Sequence, residues 1–300
     1  MKVVTSGSRY IDIDAYAGCI AYSHLLKLKG IQAKAVSTAK LNESITKRLL
    51  ELGVNLDEYT PTEKDEFVVV DVSDRAFFDN LVKKDKVVEI IDHHTGFEDY
   101  WEKKLGNNSK IEFIGAVATI IFELYEKENL QDKITEDIAY LMMSAILDNT
   151  LNLKAKITTD RDKVAYKKLE KIVKDSENYA SRYFKDCQKT IEKDLRVALE
   201  NDTKIGVISK KLPNVISQLT VWNKDKILAH KDLIFNTLNK FESKWLLNLI
   251  CLQEGKSYIV TSDDLLLKDV QKLLKGNINE CYLECEDIWL RKEIIKLAEE

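Results

Sequence analysis

Cysteine is scarce and scattered: Cys19, Cys187, Cys251, Cys281 and Cys285 are the five in 300 residues. They form no CxxC pair. Cys281 and Cys285, four apart, have no second pair or nearby histidine to complete a zinc site. The odd count speaks against a disulfide framework and for free thiols in a reducing compartment. No apolar run approaches membrane-spanning length, and the amino terminus enters a strand-like Lys2-Val3-Val4 without a signal-peptide pattern. A soluble, cytoplasmic protein with no membrane partner is therefore expected. An excess of positive charge is missing too. The formal net charge is −4 and the pI near 5.8, which gives no overall footprint for nucleic acid, although a local basic patch around an anionic substrate stays open. Repeats and low-complexity segments are absent. The length and a 45% hydrophobic share allow a core of good size and two domains.

Histidine is equally rare, and two of the four stand side by side. The stretch Val87-Val88-Glu89-Ile90-Ile91-Asp92-His93-His94 is a β-branched run, read as a buried strand, that stops abruptly in a carboxylate and two imidazoles. Ligands of an open parallel sheet sit just outside the carboxyl ends of its strands, and carboxylate with imidazole is a good donor set for a divalent transition metal. Similar endings recur. Val3–Gly7 is a strand and turn followed by Asp12-Ile13-Asp14, and Glu66–Val70 is a strand ending at Asp71. Helical patterns cover residues 15–28, closed by Lys29-Gly30, then 42–52 and 74–84. Alternation of strands and helices at this spacing means βαβ units and a parallel sheet. Converging acidic ends would build a cation site.

Residues 116–125, 135–147 and 161–174 carry apolar residues at helical spacing, with Asp148-Asn149-Thr150 ending the second of them. Residues 182–200 read as one long charged helix joining the halves. A second βα pattern follows, with strands at 204–209, 244–251, 257–260 and 280–284 and a helix at 264–274. The expected fold class is α/β: a parallel-sheet domain flanked by helices over residues 1–180, and a smaller α/β lid domain, with the linker helix, over residues 181–300.

Asp12-x-Asp14, Asp71, Asp92-His93-His94 and Asp148-Asn149-Thr150, in that order, resemble the motifs of the DHH phosphoesterases. Residues 112–120, beginning Glu112-Phe113-Ile114-Gly115 and running to Ala118-Thr119, look like that family's E-x-V-G-x-x-A-T stretch. The resemblance spans the first half. It implies hydrolysis of phosphoanhydride or phosphodiester bonds with two divalent cations, Mn2+ or Mg2+. One branch of the family, acting on oligonucleotides and cyclic dinucleotides, has a glycine-rich GGGH-type motif, and no adjacent glycines occur here. The other branch, of manganese-dependent pyrophosphatases and exopolyphosphatases, has a lid domain with an Arg-Lys pair near its end. Arg291-Lys292 resembles that ending. Two departures stand out. Ser8 occupies the place of the pyrophosphatases' first histidine, which moves the expected substrate modestly from pyrophosphate toward polyphosphate. The family's late aspartate falls on Asn149, with Asp148 one place early, so either Asp148 or Asn149 is the expected ligand.

The resemblance implies Asp71 as bridging ligand and Asp12 on the first metal. Asp14, His93 and Asp148 or Asn149 go to the second. Asp92 would orient a histidine, and His94 would face the substrate and donate to the leaving phosphate. Arg291 and Lys292 would clamp terminal phosphates, with Arg9 adding a cation. The expected partner is a small anionic phosphate substrate rather than nucleic acid; a homodimer stays open. The alternatives are a phosphodiesterase for short oligonucleotides or cyclic dinucleotides, and a phosphate-ligand binding protein without turnover. His24 and His230 receive no role, Asp74 reads as a helix cap, and Trp222, Trp245 and Trp289 read as packing.

Overall fold

The computed structural model describes residues 1–280 and 282–299, so Cys281 and its part of the expected last strand lie outside the described residues. The chain divides into two compact units, Met1–Ala180 and Ser181–Glu300. The first holds β1 (Lys2–Thr5), α1 (Ile13–Leu28), β2 (Ala33–Ala35), α2 (Lys47–Leu50), β3 (Glu66–Val70) and β4 (Val87–Asp92). It continues with α3 (Glu98–Leu105), β5 (Ser109–Ile111), α4 (Val117–Lys127), α5 (Glu136–Asn149) and α6 (Asp160–Glu170). Its sheet is parallel throughout, in the order β2-β1-β3-β4-β5.

A parallel sheet needs apolar cover on both faces, and β3 meets that need with four buried residues in a row. Phe67 and Val69 join Val3, Phe78, Val87, Ile90 and Trp101 in one cluster. On the other face Val70 lies against α1. Gly18 makes that approach close: a Cβ there would come within 3.2 Å of Val117 Cγ1 and 3.5 Å of Val70 Cγ2. Helix α1 is buried on nearly every side, as a helix between a sheet and two other helices must be. It begins where the Asp12 side chain accepts from Ala15 N–H. Asp12 and Asp14 therefore stand at a helix start, not at the strand end that the sequence suggests.

Three expected helices differ. Residues 74–84 form turns, because short polar side chains take the backbone amides a helix would need: Asp74 accepts from Ala76 N–H, and buried Asp79 accepts from Leu81 N–H and from Thr38. Asp74 thus closes a turn instead of capping a helix. Of residues 42–52 only α2 is helical, since Asn42 turns back to take Ser44 N–H.

The third difference opens the second unit. The long charged helix is two, α7 (Tyr179–Lys193) and α8 (Leu195–Asn201), split at Asp194, whose non-helical backbone breaks the first and whose carboxylate caps the second by accepting from Val197 N–H. After them come β6 (Thr203–Ile205), β7 (Val215–Val221), α9 (Asp225–Leu228), α10 (Lys231–Leu238) and β8 (Trp245–Cys251). The remaining elements are β9 (Lys256–Val260), α11 (Asp264–Leu274), β10 (Gly276–Asn279), β11 (Tyr282–Cys285) and α12 (Arg291–Glu299). The sheet is mixed, in the order β10-β11-β9-β8-β7-β6, with only β7 and β8 parallel. Alternate residues divide between its faces. Val215, Leu219, Trp245, Leu247 and Leu249 pack with α8 and α10, while Ile216, Leu246, Ile259 and Leu283 pack with α11 and α12. No described helix is long and apolar enough to cross a membrane.

Candidate metal centre

The site lies beyond the carboxyl ends of β3 and β4. Asp71 is the first residue after β3, and its backbone is left-handed with φ of 60°, a conformation aspartate tolerates better than most residues. This turn brings its carboxylate back over the sheet edge. Its Oδ1 is buried without a hydrogen-bond partner. It stands 3.2 Å from His93 Nε2 and 3.8 Å from His94 Nδ1. These three side chains form a group with ligand atoms all within 4.8 Å of one another. Burial first, then the charges of Asp12 and Asp14, push the Asp71 carboxyl well above the usual aspartate range.

The two histidines are held differently. His93 Nδ1 lies 3.0 Å from the Ile114 carbonyl. A carbonyl only accepts, so Nδ1 carries a proton and Nε2 is the ring atom that faces Asp71. His94 places Nδ1 2.9 Å from Asp92 Oδ1, which also takes the backbone N–H of His93 and His94 at 2.7 and 3.0 Å. Asp92 thus fixes the turn and the His94 ring together. Desolvation works against a charge on His94, but the Asp92 hydrogen bond and the Asp71 charge outweigh it and raise its pKa. Burial works against the Asp92 carboxylate, yet its bond to His94 leaves its pKa lowered.

Asp14 is fully buried and tied to α4. Its Oδ2 accepts from Val117 N–H at 2.7 Å and its Oδ1 from Ala118 N–H at 2.9 Å. These amides open a helix whose own N-cap, Ala116, offers no side-chain bond, so Asp14 caps α4 from 103 residues away. His93 Nε2 is 3.8 Å from its Oδ2, and Asn149 Nδ2 donates to the same oxygen. Burial pushes the Asp14 carboxyl up to about 6, with Asp12 adding to the rise and His93 opposing it.

Of the sequence candidates, Asp14, Asp71, His93 and His94 are brought together, and Asn149 reaches Asp14 from the end of α5. The bond to Asp14 comes from Asn149, not Asp148. Asp12 lines a cavity of about 360 Å³ with Asp71, His94, Ser8 and Arg9. Arg9 is exposed and lies over the Phe77 ring, 6.0 Å from its centroid. Arg291, in the second unit, donates to the Asp202 and Ile216 carbonyls at 2.6 and 3.3 Å and pairs with Asp202 Oδ1 at 2.8 Å. Lys292 beside it is exposed.

One residue escapes the sequence reading. Asp162 is completely buried and accepts from Gly115 N–H at 3.0 Å and from the Thr119 hydroxyl at 2.6 Å. In sequence it looks like the third residue of an ordinary capping box begun by Thr159, and it is that as well. Nothing local announces a bond across 47 residues.

The donor set suits a divalent cation. A buried carboxylate oxygen with no hydrogen-bond partner is costly unless a positive charge stands beside it, and carboxylate with imidazole serves the first-row metals.

Residues 2–146 match the DHH family, N-terminal domain. Two relatives carry the name probable manganese-dependent inorganic pyrophosphatase. The protein from Lactobacillus delbrueckii subsp. bulgaricus is 27% identical over 80% of this chain and 76% of its own. That from Lactobacillus johnsonii is 24% identical over 97% and 96%. Among solved structures, a candidate family II inorganic pyrophosphatase of Methanococcus jannaschii aligns over the full length of both chains, with a TM-score of 0.71 at 20% identity. An exopolyphosphatase-related protein of Bacteroides fragilis covers 99% of this chain and 90% of its own, with a TM-score of 0.54 at 14% identity. The fold is shared with both.

Proposed function

We propose that this chain is a divalent-metal-dependent hydrolase of phosphoanhydrides, acting on pyrophosphate or a short polyphosphate. The observation that carries the reading is the buried Asp71 Oδ1, without a hydrogen-bond partner, 3.2 Å from His93 Nε2. The names of the relatives support manganese and pyrophosphate. Asp71 would bridge two cations. Asp12 would hold the first, and Asp14 with His93 and Asn149 the second. When bound, such a pair offsets the charge of the phosphates and lowers the pKa of water.

The other roles belong to the protein. Asp92 keeps a proton on His94 Nδ1 and aims the ring toward the cavity, where the protonated ring can donate to a phosphate oxygen as the leaving group departs. Arg9 at the cavity rim would bind substrate phosphate. In the second unit Lys292 is the better candidate for a phosphate clamp, since Arg291 already has Asp202 as counter-ion. Ser8 lines the cavity where the pyrophosphatases have histidine and leaves one imidazole fewer there. This keeps a polyphosphate chain in contention with pyrophosphate.

Phosphate release from pyrophosphate, tripolyphosphate and a dinucleotide, each with Mn2+ or Mg2+, tests the reading. Turnover of the first two is expected, and Asp71→Asn should lower it at least roughly 10²- to 10³-fold while circular dichroism stays native. Cleavage of the dinucleotide alone would assign a phosphodiesterase. Binding without release would assign a ligand-binding protein, and near-normal turnover by Asp71→Asn would remove the bridge.

A further inference from the structure

We propose that Asp162 is a positioning residue for the metal centre, acting through the 112–119 segment on His93 and Asp14 at once. The proposal rests on the metal reading of the site. Three contacts run from this short segment to the candidate ligands. The Ile114 carbonyl fixes the Nδ1 proton of His93. The Val117 and Ala118 amides take the two oxygens of Asp14. Whatever sets the height of the segment over the sheet therefore sets both ligands.

Asp162 does so from two sides. It holds Gly115 N–H, one residue after the carbonyl that orients His93, and the Thr119 hydroxyl, one residue after the amides that hold Asp14. Its remaining bonds, to Thr159 N–H at 2.8 Å and the Thr159 hydroxyl at 2.7 Å, tie it to the start of α6. The side chain is a strut between α6 and the segment. There is no slack in it. A Cβ on Gly115 would lie 2.7 Å from Asp162 Oδ2 and 2.6 Å from Thr150 Cγ2, so the backbone sits against the carboxylate directly. Asp162 gives the glycine a reason that backbone conformation does not.

Both oxygens work. An asparagine can still place its carbonyl oxygen on Gly115 N–H and its NH₂ on the Thr119 hydroxyl, which then accepts, whereas an alanine keeps neither bond. Without them the segment shifts, taking the Ile114 carbonyl from His93 and the helix start from Asp14. Groups that orient ligands in this way typically change metal affinity about 10- to 100-fold when altered.

The test measures Mn2+ affinity by calorimetry or electron paramagnetic resonance, and reads the His93 tautomer from ring ¹⁵N shifts of the metal-free protein. Asp162→Ala is expected to weaken Mn2+ binding at least tenfold and to move His93 from the Nδ1–H form toward a mixture, with Asp162→Asn nearer the parent. Asp162 also caps α6, so two further variants separate the roles. Thr119→Val keeps the cap and loosens the strut, and should weaken Mn2+ severalfold. Thr159→Ala removes the cap and one bond at the α6 end of the strut, and should lower the melting temperature while costing less Mn2+ affinity than Thr119→Val. If Asp162→Ala does not fold, this pair decides. Unchanged affinity and tautomer in Asp162→Ala, or an equal loss of affinity in Thr119→Val and Thr159→Ala, overturns the proposal. Failure of the parent protein itself to bind Mn2+ would instead overturn the metal reading.

Discussion

The two units bury polar groups of different kinds. Among the described residues of the first, Asp14, Asp65, Asp79, Asp92 and Asp162 are buried carboxylates; in the second, the buried polar side chains are the neutral Gln188, Ser217, Thr237, Asn248, Ser257 and Thr261. In the first unit β3 is followed at once by Asp71 and β4 ends at Asp92, whereas β7 and β8 of the second end at Val221 and Cys251. A buried charge costs stability unless it is paired or fully hydrogen-bonded. Asp79 and Asp162 meet that condition with backbone and hydroxyl donors. Asp71 does not. The first unit thus holds an electrostatic imbalance at one place, while the second is a sheet between two apolar layers. Stability of the first should respond to metal ions, and stability of the second should not.

The largest effect expected on that contrast is in the second core. Trp245 is completely buried, meets Phe235 edge to face with 5.2 Å between centroids, and donates Nε1–H to Asn239. Trp245→Ala should destabilise the unit by about 3–5 kcal/mol. Calorimetric melts at several pH values, with and without Mn2+, should show the same loss each time. A loss that vanished on adding Mn2+ would break the comparison.

A smaller effect, of opposite sign, belongs to the site. Between the ordinary aspartate value of 3.8 and the folded value of about 6 for Asp14, the folded protein holds more protons than the unfolded chain. The Asp14 contribution to the stability of the metal-free protein therefore rises as pH falls through that window, whereas that of Asp92, whose pKa is lowered, is lost as pH falls. Asp71, raised as well, acts in the same direction as Asp14, and so does His94, whose raised pKa contributes stability that is lost as pH climbs. Asp71→Asn removes the unsatisfied charge and suits the left-handed backbone, so it should raise metal-free stability near pH 7 by roughly 1–2 kcal/mol and flatten the pH trend. Mn2+ should reverse the trend for the parent protein, because protons compete with the ion for the same oxygens. Melting temperatures from pH 5 to 8 check both. A variant no more stable than its parent would mean that Asp71 has a partner after all.

This contrast explains what was legible in the sequence. The parallel sheet could be read because β3 and β4 are unbroken apolar runs, and their endings stood out because a charge there is chemically abrupt. Asp12 and Asp14 had the right chemistry but the wrong address, since a helix cap and a strand end look alike in a short polar stretch. Turns at 74–84 were hidden because Asp79 recruits its donors from Thr38, far away in the chain. Edge strand β10, Gly276-Asn-Ile-Asn, lacks the β-branched alternation that marks a strand and exists through pairing with β11. Asp162 was invisible for the same reason: its function is a tertiary bond, and its local pattern is fully explained by a cap. Local signals report the element a residue is in. They do not report what its side chain meets.

Arg291 gives the smallest effect and the finest cut. As the first residue of α12 it uses its own N–H on Gln218 and its guanidinium on Asp202 and the Ile216 carbonyl, binding the helix start to β7 and the approach to β6. The ion pair is partly exposed, so it should contribute at most about 1 kcal/mol. Arg291→Ala should therefore cost the second unit about that much, a melting shift of a few degrees, with no dependence on Mn2+. Lys292→Ala, exposed and without an ion pair among the described residues, should leave the melt alone. Kinetics then separate structure from clamp. A rise in KM confined to Lys292→Ala would place the phosphate contact on the lysine and leave Arg291 as a brace. A rise confined to Arg291→Ala would mean that the guanidinium leaves Asp202 for the substrate, and that the second unit, neutral in its core, contributes to the chemistry through a cation it normally keeps paired.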